Sequence, residues 1–427
     1  MPIKHQPSPT EADRFDSPIK TVFAVTSARG WIFFEEMVRA LQDAGFDTIL
    51  VSSPGERLDQ LAQKAAVQPA VIPMSRDVAT LSDLRSLWRL YQFMRRTRPT
   101  ITHVGSPKAG LLGGLAARLS GVPCRIYTLH GLRLETTKGW KRMLLRWAER
   151  VACSCAHRVI CVSPSVRRQA VDLKLVAAEK TVMMANGSFC GVDVQRYSPQ
   201  VADTALRERL AERLGIPRRA PVIGFVGRLT RDKGVPELVT AFGQLRQTWP
   251  ELRLLLVGEF EDGDPVPAGI RQQIEADPYI VAPGYVDDTA PYYGLMNAFV
   301  LPSYREGFPI VSLEAQACGV PVVTTTATGA IDSIVDGVTG FLVPTGNAPA
   351  LAARIDQILR DPQLRSRMGQ AGRELVVQKF RQEMLGQALL EEYLRLLRSS
   401  GKKLPDKSAE ALAANRPGEP EVSCRIG

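Results

Sequence analysis

Short apolar runs alternate along this chain with longer stretches in which apolar residues recur every three or four positions. The run Lys20–Thr26 comes first, then the amphipathic stretch Trp31–Ala44, and then the run Thr48–Ser53. Short runs rich in Val, Ile and Phe are typical of buried strands, and a recurrence of three to four positions is typical of a helix. This pattern predicts a strand, a helix and a second strand that pairs in parallel with the first.

The same alternation covers most of the chain and restarts after the turn-rich stretch Asn186–Pro199, which is the predicted crossing between two domains. Further strands are predicted at 70–73, 100–104, 125–129, 158–162, 222–226, 253–257, 280–282, 298–301 and 321–324. Further helices are predicted at 81–98, 107–119, after Ser163-Pro164, and at 206–214, 235–248, 310–318 and within 363–398. We therefore expect an α/β protein with two Rossmann-like, doubly wound domains, at residues 19–199 and 200–375. The polar ends, 1–18 and 399–427, are predicted to be disordered.

Charge is distributed unevenly over a composition that is otherwise typical of a soluble globular protein. The formal net charge is +10, and residues 1–200 contain 28 Lys and Arg against 16 Asp and Glu, whereas the remainder contains 26 against 28. The basic first half indicates an anionic partner such as a membrane surface or a phosphorylated lipid. Nucleic acid is disfavoured, because no zinc-finger spacing, recognition helix or aromatic-rich sheet accompanies the basic residues.

Several other classes are disfavoured by short patterns. The seven cysteines lack the spacing of a metal site or a secreted scaffold, which favours buried thiols in a reducing cytoplasm. No signal peptide and no apolar run long enough to span a membrane are expected. Asp262-Gly263-Asp264 matches a metal-binding pattern of another transferase fold, but it lies in the acidic, Pro- and Gly-rich loop Glu259–Pro267 and is interpreted as a solvated surface loop.

The stretch Ser303–Glu314 follows a predicted buried strand and enters a predicted helix that begins after Pro309. Gly307 allows the backbone to approach a ligand closely, and the N–H groups at a helix start bind anions. Glu306 and Glu314 lie eight positions apart on either side of that start. The stretch predicts an anion site with two carboxylates beside it.

A second candidate loop, Gly227–Gly234, follows the first strand of the second half. Arg228 offers a planar fork of donors to phosphate oxygens, and Lys233 adds a compact positive charge. The spacing is neither that of a Walker loop nor that of the dinucleotide fingerprint. The loop predicts a diphosphate site, and the alternative is an ordinary solvated loop.

Three features of the first half allow two interpretations each. Lys108 follows the helix-start signal Ser106-Pro107 and either meets an anionic substrate or is a solvated lysine. His130 ends a predicted strand before Gly131, where it is either catalytic or structural. The helix 140–150 is basic and amphipathic, so it either rests on anionic lipid headgroups or packs its apolar stripe against the sheet. The residues predicted to contact the membrane are Trp140, Lys141, Arg142, Arg146 and Trp147.

The chain resembles the retaining nucleotide-sugar glycosyltransferases of the GT-B fold, the bacterial group 1 family. The resemblance rests on the two loops, on their order and on the later stretch Asp336–Pro344. The resemblance extends over residues 19–398. It implies two Rossmann-like domains facing across a cleft, with the helix 376–398 packing back on the first domain. The Ser106–Gly110 and His130-Gly131 motifs and the crossing stretch resemble enzymes that extend lipid-linked sugars for surface polysaccharides.

The resemblance also implies a role for each matching residue. Arg228 and Lys233 would bind the donor diphosphate and stabilise its departure, Glu306 would lie beside the donor sugar, and Glu314 would hold the ribose hydroxyls. His130 would reach the reacting sugar. The backbone around Gly227 and from Gly307 through Phe308 and Pro309 to Ile310 would help to bind the donor, and Gly30 and Lys108 would lie on the acceptor side.

Some residues depart from the family pattern. The loop Ser27–Gly30 lacks paired glycines, Cys190 replaces a common Asn, and Asp332 replaces a common Glu. These departures concern the acceptor side and leave the central acids unchanged.

The expected function is transfer of a sugar, hexosyl or N-acetylhexosaminyl, from a nucleotide donor, expected to be UDP-linked, to a lipid-diphosphate-linked saccharide at the inner face of the cell membrane. Because Arg228 and Lys233 neutralise the diphosphate, no metal or other cofactor is expected to be required. The alternatives are a soluble or different lipid acceptor, a catalytically silent sugar-nucleotide-binding protein, and a glycosidase that uses the two acids as a pair.

Overall fold

The computed structural model describes residues 18–26, 35–64, 67–74, 80–200, 204–405 and 407–408. The chain forms two compact units, one of residues 1–128, 151–158 and 386–427, the other of residues 129–150 and 159–385. The domain bounds inferred from the sequence stay a prediction. Gly30 with its loop, and most of the two chain ends predicted to be disordered, lie outside the described residues.

The first sheet contains seven strands in the order β3-β2-β1-β4-β5-β6-β7, with parallel pairing. These strands are β1 (Ile19–Ala24), β2 (Phe46–Ser52), β3 (Gln68–Val71), β4 (Ile101–Gly105), β5 (Cys124–Leu129), β6 (Arg158–Cys161) and β7 (Thr181–Val182). The accompanying helices are α1 (Glu35–Asp43), α2 (Glu56–Lys64), α3 (Thr80–Thr97), α4 (Pro107–Leu119), α5 (Gly139–Cys155) and α6 (Pro164–Asp172). The central strands β1, β4 and β5 are buried over most of their length, as their apolar runs predict.

The second sheet contains six parallel strands in the order β10-β9-β8-β11-β12-β13. They are β8 (Val222–Val226), β9 (Arg253–Val257), β10 (Ile280–Gly284), β11 (Ala298–Leu301), β12 (Val322–Thr325) and β13 (Gly340–Val343). The helices of this half are α7 (Thr204–Arg213), α8 (Val235–Leu245), α9 (Ala268–Ala276), α10 (Ala290–Tyr293), α11 (Ile310–Ala317), α12 (Ala348–Arg360), α13 (Pro362–Lys379) and α14 (Gln382–Ser399). The predicted pair of parallel, Rossmann-like sheets is present.

Six elements of the structure are absent from the sequence-based prediction, namely β7, β13, α2, α9, α10 and α12. For α12 the signal exists, because Asn347 accepts a hydrogen bond from the Ala350 N–H at 2.9 Å and starts a helix with a regular apolar face. The long helices predicted within 363–398 are α13 and α14. Backbone hydrogen bonds join Val192 to Phe380 at 2.8 Å and to Gln382 at 3.2 Å, replacing helical bonds at the break between α13 and α14.

Helix α14 from residue 386 onwards belongs to the same compact unit as β4 and β5. The Tyr393 hydroxyl lies 2.8 Å from His103 Nδ1, and His103 Nε2 lies 2.6 Å from Thr128 Oγ1. Phe23 packs 4.6 Å from the His103 ring. This buried chain of polar groups ties α14 to two central strands, where an unpaired polar atom would be costly.

Both sheets reverse their strand order once, between β1 and β4 in the first and between β8 and β11 in the second. In open α/β sheets, ligands bind beyond the carboxyl ends of the strands at such a reversal. Strand β8 ends at Val226 and β11 ends at Leu301. The loops 227–234 and 302–309, singled out from the sequence for their chemistry, therefore both start at the reversal of the second sheet.

Candidate active site

The loop 227–234 leaves β8 through a glycine that needs a left-handed backbone. Gly227 has a φ of 149°, and its N–H donates to the carbonyl of Val257 at 2.9 Å. At the other end of the loop, Gly234 has a φ of 72°, and an added Cβ would lie 2.1 Å from the carbonyl oxygen of Pro302. At Gly234 the loop after β8 therefore meets the backbone of the loop after β11.

An acidic loop supports the same segment. Asp264 accepts a hydrogen bond from the Asp232 N–H at 2.7 Å, and the Arg228 guanidinium forms an ion pair with Glu261. The whole stretch Glu259–Pro267 was interpreted as a solvated surface loop, and Asp262 and Gly263 are exposed as expected, whereas Asp264 is half-buried. Its carboxylate is occupied in shaping the cationic loop. Arg228 itself stays largely exposed, 57% of its side chain, which leaves it able to turn towards an anion.

Lys233 and Glu306 form the central contact of the site. Lys233 Nζ donates to Glu306 Oε1 at 2.6 Å, and the Ser303 hydroxyl donates to the same oxygen at 2.7 Å. The Lys233 side chain is only 20% exposed, and that of Glu306 is only 10% exposed. An ammonium group has three donors, of which Glu306 uses one. A partly buried cation and a carboxylate are thus held side by side where the two loops meet.

The backbone that carries Glu306 is fixed on both sides. The Glu306 N–H donates to the carbonyl of Thr328 at 2.9 Å, and the Thr328 hydroxyl donates to Glu135 at 2.8 Å. Arg305 pairs with Asp232 at 2.7 Å. This last ion pair ties the loop after β11 to the loop after β8 a second time, so Glu306 and Lys233 are positioned together.

His130 lies against the same loop. A Cβ on Gly307 would lie 2.0 Å from the His130 carbonyl oxygen, so only glycine fits there. The His130 ring packs edge-on against Phe189, with 4.6 Å between ring centroids. Burial lowers the pKa of His130 to about 4. The imidazole is therefore neutral at physiological pH, and it can donate or accept a hydrogen bond but supplies no positive charge.

Helix α11 begins at Ile310 with Pro309 at the cap position, as predicted. Phe308 is buried, and its ring lies 5.4 Å from that of Phe380. Because the first N–H groups of a helix have no partner within it, the start of α11 offers donors beside Glu306. Gly307, Phe308, Pro309 and Ile310 thus provide a backbone surface next to the Lys233–Glu306 pair.

Glu314 has different surroundings from Glu306. Its side chain is 6% exposed, and the Tyr293 hydroxyl donates to Oε2 at 2.7 Å. Burial raises the pKa of this carboxyl, and hydrogen bonds from Tyr293 and Tyr197 oppose that rise. One acid is therefore paired with a cation and the other is enclosed by phenols, an arrangement unlike that of two acids sharing one bond.

The first sheet has its own reversal, where the loops after β1 and β4 meet. Thr26 Oγ1 lies 2.8 Å from Ser106 Oγ. The Ser106-Pro107 signal predicted the start of α4, but the Ser106 side chain does not cap that helix and contacts Thr26 instead. Lys108 pairs with Asp83 at 2.8 Å and is 13% exposed, so the interpretation as a solvated lysine was wrong.

The sequence analysis missed the polar partners that support the site. Asp332, noted only as a departure, accepts hydrogen bonds from the N–H and the hydroxyl of Ser165 in the first turn of α6, where a negative charge is stabilised. Ser165 also accepts from the Gly329 N–H at 2.7 Å. Glu135 and Asp264 were likewise missed. Only a helix-start signal at Ser163-Pro164 could have indicated any of these contacts.

Helix α5 exposes an apolar stripe to solvent. Trp140, Met143 and Trp147 are 71%, 75% and 61% exposed, and they recur at helical spacing on one side. Lys141 and Arg142 are exposed beside them. Arg146 is also exposed and donates to the carbonyl of Leu173 at 2.9 Å. Packing of this stripe against the sheet, the alternative in the sequence analysis, does not occur.

Among the helices of the described residues, none has the length and apolar character needed to cross a bilayer. Across the same described ranges, no cluster of three or more His, Cys, Asp or Glu side chains is arranged to hold a metal ion.

Sequence comparison decides the family. Models of two families match this chain, the glycosyl transferase 4-like domain over residues 30–187 and glycosyl transferases group 1 over residues 207–375. The capsular polysaccharide biosynthesis glycosyltransferase CapM of Staphylococcus aureus is 35% identical over 381 residues, which cover 89% of this chain and 98% of CapM. The chain belongs to the group 1 glycosyltransferases. This glycosyltransferase is also 27% identical over 306 residues, 71% of its length and 77% of the relative's, to the UDP-Gal:alpha-D-GlcNAc-diphosphoundecaprenol alpha-1,3-galactosyltransferase of Escherichia coli.

Solved structures share the fold of this glycosyltransferase. The crystal structure of Anabaena Alr3699/HepE in complex with UDP-glucose matches with a TM-score of 0.75 at 21% identity, covering 88% of this chain and 99% of that one. The GT-B fold predicted from the sequence motifs, with two Rossmann-like sheets, is confirmed.

The backbone contact at Gly307 yields a prediction. A Gly307→Ala substitution should lower the rate of glycosyl transfer by roughly 100-fold, because its Cβ would displace the loop that carries Glu306, and a shift of about 1 Å at a reacting centre has that effect. Initial rates and circular dichroism of the purified variant measure this. The control is Gly263→Ala, whose Cβ meets nothing within 4 Å. A wild-type rate in Gly307→Ala would contradict the proposed packing of the site.

Proposed function

We propose that this glycosyltransferase moves a sugar from a UDP-sugar, with retention of anomeric configuration, to a lipid-diphosphate-linked saccharide in surface polysaccharide assembly. The observation that carries the proposal is the Lys233–Glu306 pair at the reversal of the second sheet, with a helix start beside it. A donor with a diphosphate and a sugar needs positive charge, free N–H groups and a hydroxyl acceptor, and these lie together there. The names of the relatives from S. aureus and E. coli support the acceptor class.

In this proposal the cationic loop binds the diphosphate. Lys233 exchanges its contact with Glu306 for the phosphate oxygens, and the exposed Arg228 turns from Glu261 towards the same group. Together with the N–H groups at the start of α11, they stabilise the negative charge that develops on the departing phosphate. These residues supply the charge themselves, so the proposal includes no metal ion or other cofactor.

Glu306 then accepts a hydrogen bond from a hydroxyl of the donor sugar. Neutral His130, which belongs to the same compact unit as Glu306, forms a second hydrogen bond with that sugar. The C–O bond to the phosphate breaks, the acceptor oxygen bonds to the anomeric carbon on the same face, and the departing phosphate takes the acceptor's proton. A glycosidase mechanism fits less well, because it needs two carboxylates across one bond. Here Glu314 is enclosed by Tyr293, and we assign it to the ribose hydroxyls of the donor.

The acceptor side of the proposal includes the membrane. We assign helix α5 to the anionic inner face of the cell membrane, with Trp140, Met143 and Trp147 entering the headgroup region and Lys141 and Arg142 contacting the lipid phosphates. Tryptophan at an interface and cations beside it are the two features that hold a peripheral helix on a bilayer. We assign Lys108 to the acceptor side.

The function is tested with a panel of nucleotide sugars. We expect a UDP-sugar to raise the thermal stability of the protein and to be transferred to a short-chain polyprenyl-diphosphate saccharide, with the anomeric configuration retained in the product and with no loss on adding EDTA. Lys233→Ala and Glu306→Ala should each abolish transfer while leaving the protein folded. Transfer at the wild-type rate by either variant, or hydrolysis of saccharides without a nucleotide donor, would contradict the proposal.

Membrane binding is tested separately with vesicles of anionic and of neutral lipid. Lys141→Gln combined with Arg142→Gln should weaken binding to anionic vesicles by roughly 30-fold, since each cation near such a surface contributes about 1 kcal/mol. Co-sedimentation at several vesicle concentrations measures this. The control variant, Arg207→Gln with Arg209→Gln, removes the same charge from exposed positions of α7. Equal binding by the two double variants would rule out α5 as the membrane contact.

A further inference from the structure

The Glu314 carboxylate lies near three hydroxyl groups from two segments of the chain. Tyr293 of α10 donates to Oε2 at 2.7 Å. The Tyr197 hydroxyl, from the segment after β7, lies 3.1 Å from the Thr289 hydroxyl, and both hydroxyls help to lower the pKa of Glu314. The two phenol rings pack edge to face with 6.1 Å between their centroids. Neither tyrosine was identified from the sequence.

A single guanidinium holds this arrangement in place. Arg373 of α13 donates to the carbonyl of Tyr197 at 2.5 Å and to that of Val194 at 2.9 Å. It also donates to the carbonyl of Ala317, the last residue of α11, at 2.8 Å. The helix that carries Glu314 and the segment that carries Tyr197 are therefore bound to the same planar group, which fixes the distance between them.

A carboxylate that holds a ribose must be ionised, since only then are both of its oxygens acceptors for the two hydroxyls. Burial of Glu314 opposes ionisation and raises its pKa, whereas the hydroxyl donors and Arg196 lower it. Arg196 is itself paired with Asp288 at 3.0 Å. The other titratable groups that face Glu314 are the thiols of Cys190 and Cys318, whose pKa values burial raises, so they stay neutral.

We propose that Tyr293 and Tyr197 are positioning residues, whose hydroxyls orient the Glu314 carboxylate towards the ribose 2′- and 3′-hydroxyls of the donor nucleotide. The inference rests on the proposed function, which assigns Glu314 to the ribose. It adds that recognition of the ribose depends on a hydrogen-bonded set drawn from α10, α11 and the segment after β7. The tyrosines act through Glu314 and touch neither the diphosphate nor the sugar.

The test compares UDP with 2′-deoxy-UDP in calorimetric titrations between pH 5 and pH 8. Tyr293→Phe and Tyr197→Phe should each weaken UDP binding by about tenfold, the usual effect of removing one hydrogen bond to a charged group. Their affinity for 2′-deoxy-UDP should change less, so the preference for the ribonucleotide falls.

The same variants should change the pH dependence. Without the tyrosine hydroxyl, the pKa of Glu314 rises further, so each variant should begin to lose UDP affinity on acidification at a higher pH than the wild type does.

A neighbouring tyrosine provides the matched control. Tyr292 precedes Tyr293 in α10, is buried, and has its hydroxyl 3.3 Å from Arg213 rather than at Glu314. Tyr292→Phe should leave the preference for UDP and its pH dependence unchanged. A purely structural role of Tyr293 or Tyr197 would weaken both nucleotides equally and leave the pH dependence unchanged, and that result would overturn the inference.

Glu314→Gln separates the inference from the proposal on which it rests. If Glu314→Gln binds UDP as tightly as the wild type, the assignment of Glu314 to the ribose fails. If Glu314→Gln loses both its affinity for UDP and its preference for UDP over 2′-deoxy-UDP, the assignment of Glu314 to the ribose stands. If Tyr293→Phe and Tyr197→Phe keep both of these properties in the same experiment, the positioning role of the tyrosines fails.

Discussion

The ion pair between Lys233 and Glu306 is the interaction on which the site depends. It joins the loop after β8 to the loop after β11 at 2.6 Å, at the one reversal of strand order in the second sheet. Both groups are mostly buried, so removing one partner leaves the other charge poorly solvated, which is costly. The pair therefore holds a partly buried cation where the two loops meet, and in the proposed mechanism a bound diphosphate competes for the donors of Lys233.

Close backbone packing makes that pair possible. Gly234 meets Pro302, and Gly307 meets His130, each at a distance that would place an added Cβ within about 2 Å of a carbonyl oxygen. Gly329 approaches the carbonyls of Glu306 and Gly307 in the same way. Ion pairs and hydrogen bonds then fix what the glycines bring together, through Arg305 with Asp232 and through Thr328 with Glu135. The residues proposed for catalysis lie on loops, and these loops are held to one another by those contacts.

Most of the strands and the two candidate loops could be predicted from the sequence, because apolar periodicity and glycine-bounded loops are local signals. Lys233, Glu306 and the helix start at Ile310 were found in this way. Their partners could not be, since Glu261 lies 33 positions from Arg228 and Asp332 lies 167 positions from Ser165, and no local pattern links such residues. The ion pair of Lys108 could not be predicted from the sequence for the same reason. Its partner Asp83 is on another helix, and only the fold brings the two together.

The central claim is that the donor diphosphate binds between the loops 227–234 and 302–314, and amide hydrogen exchange with and without UDP tests it most directly. The account predicts that UDP slows exchange in both loops and in the first turn of α11, and that the Lys233→Ala variant loses this protection at the same UDP concentration. Protection confined to the loops after β1 and β4, or protection that persists unchanged in the variant, would contradict it.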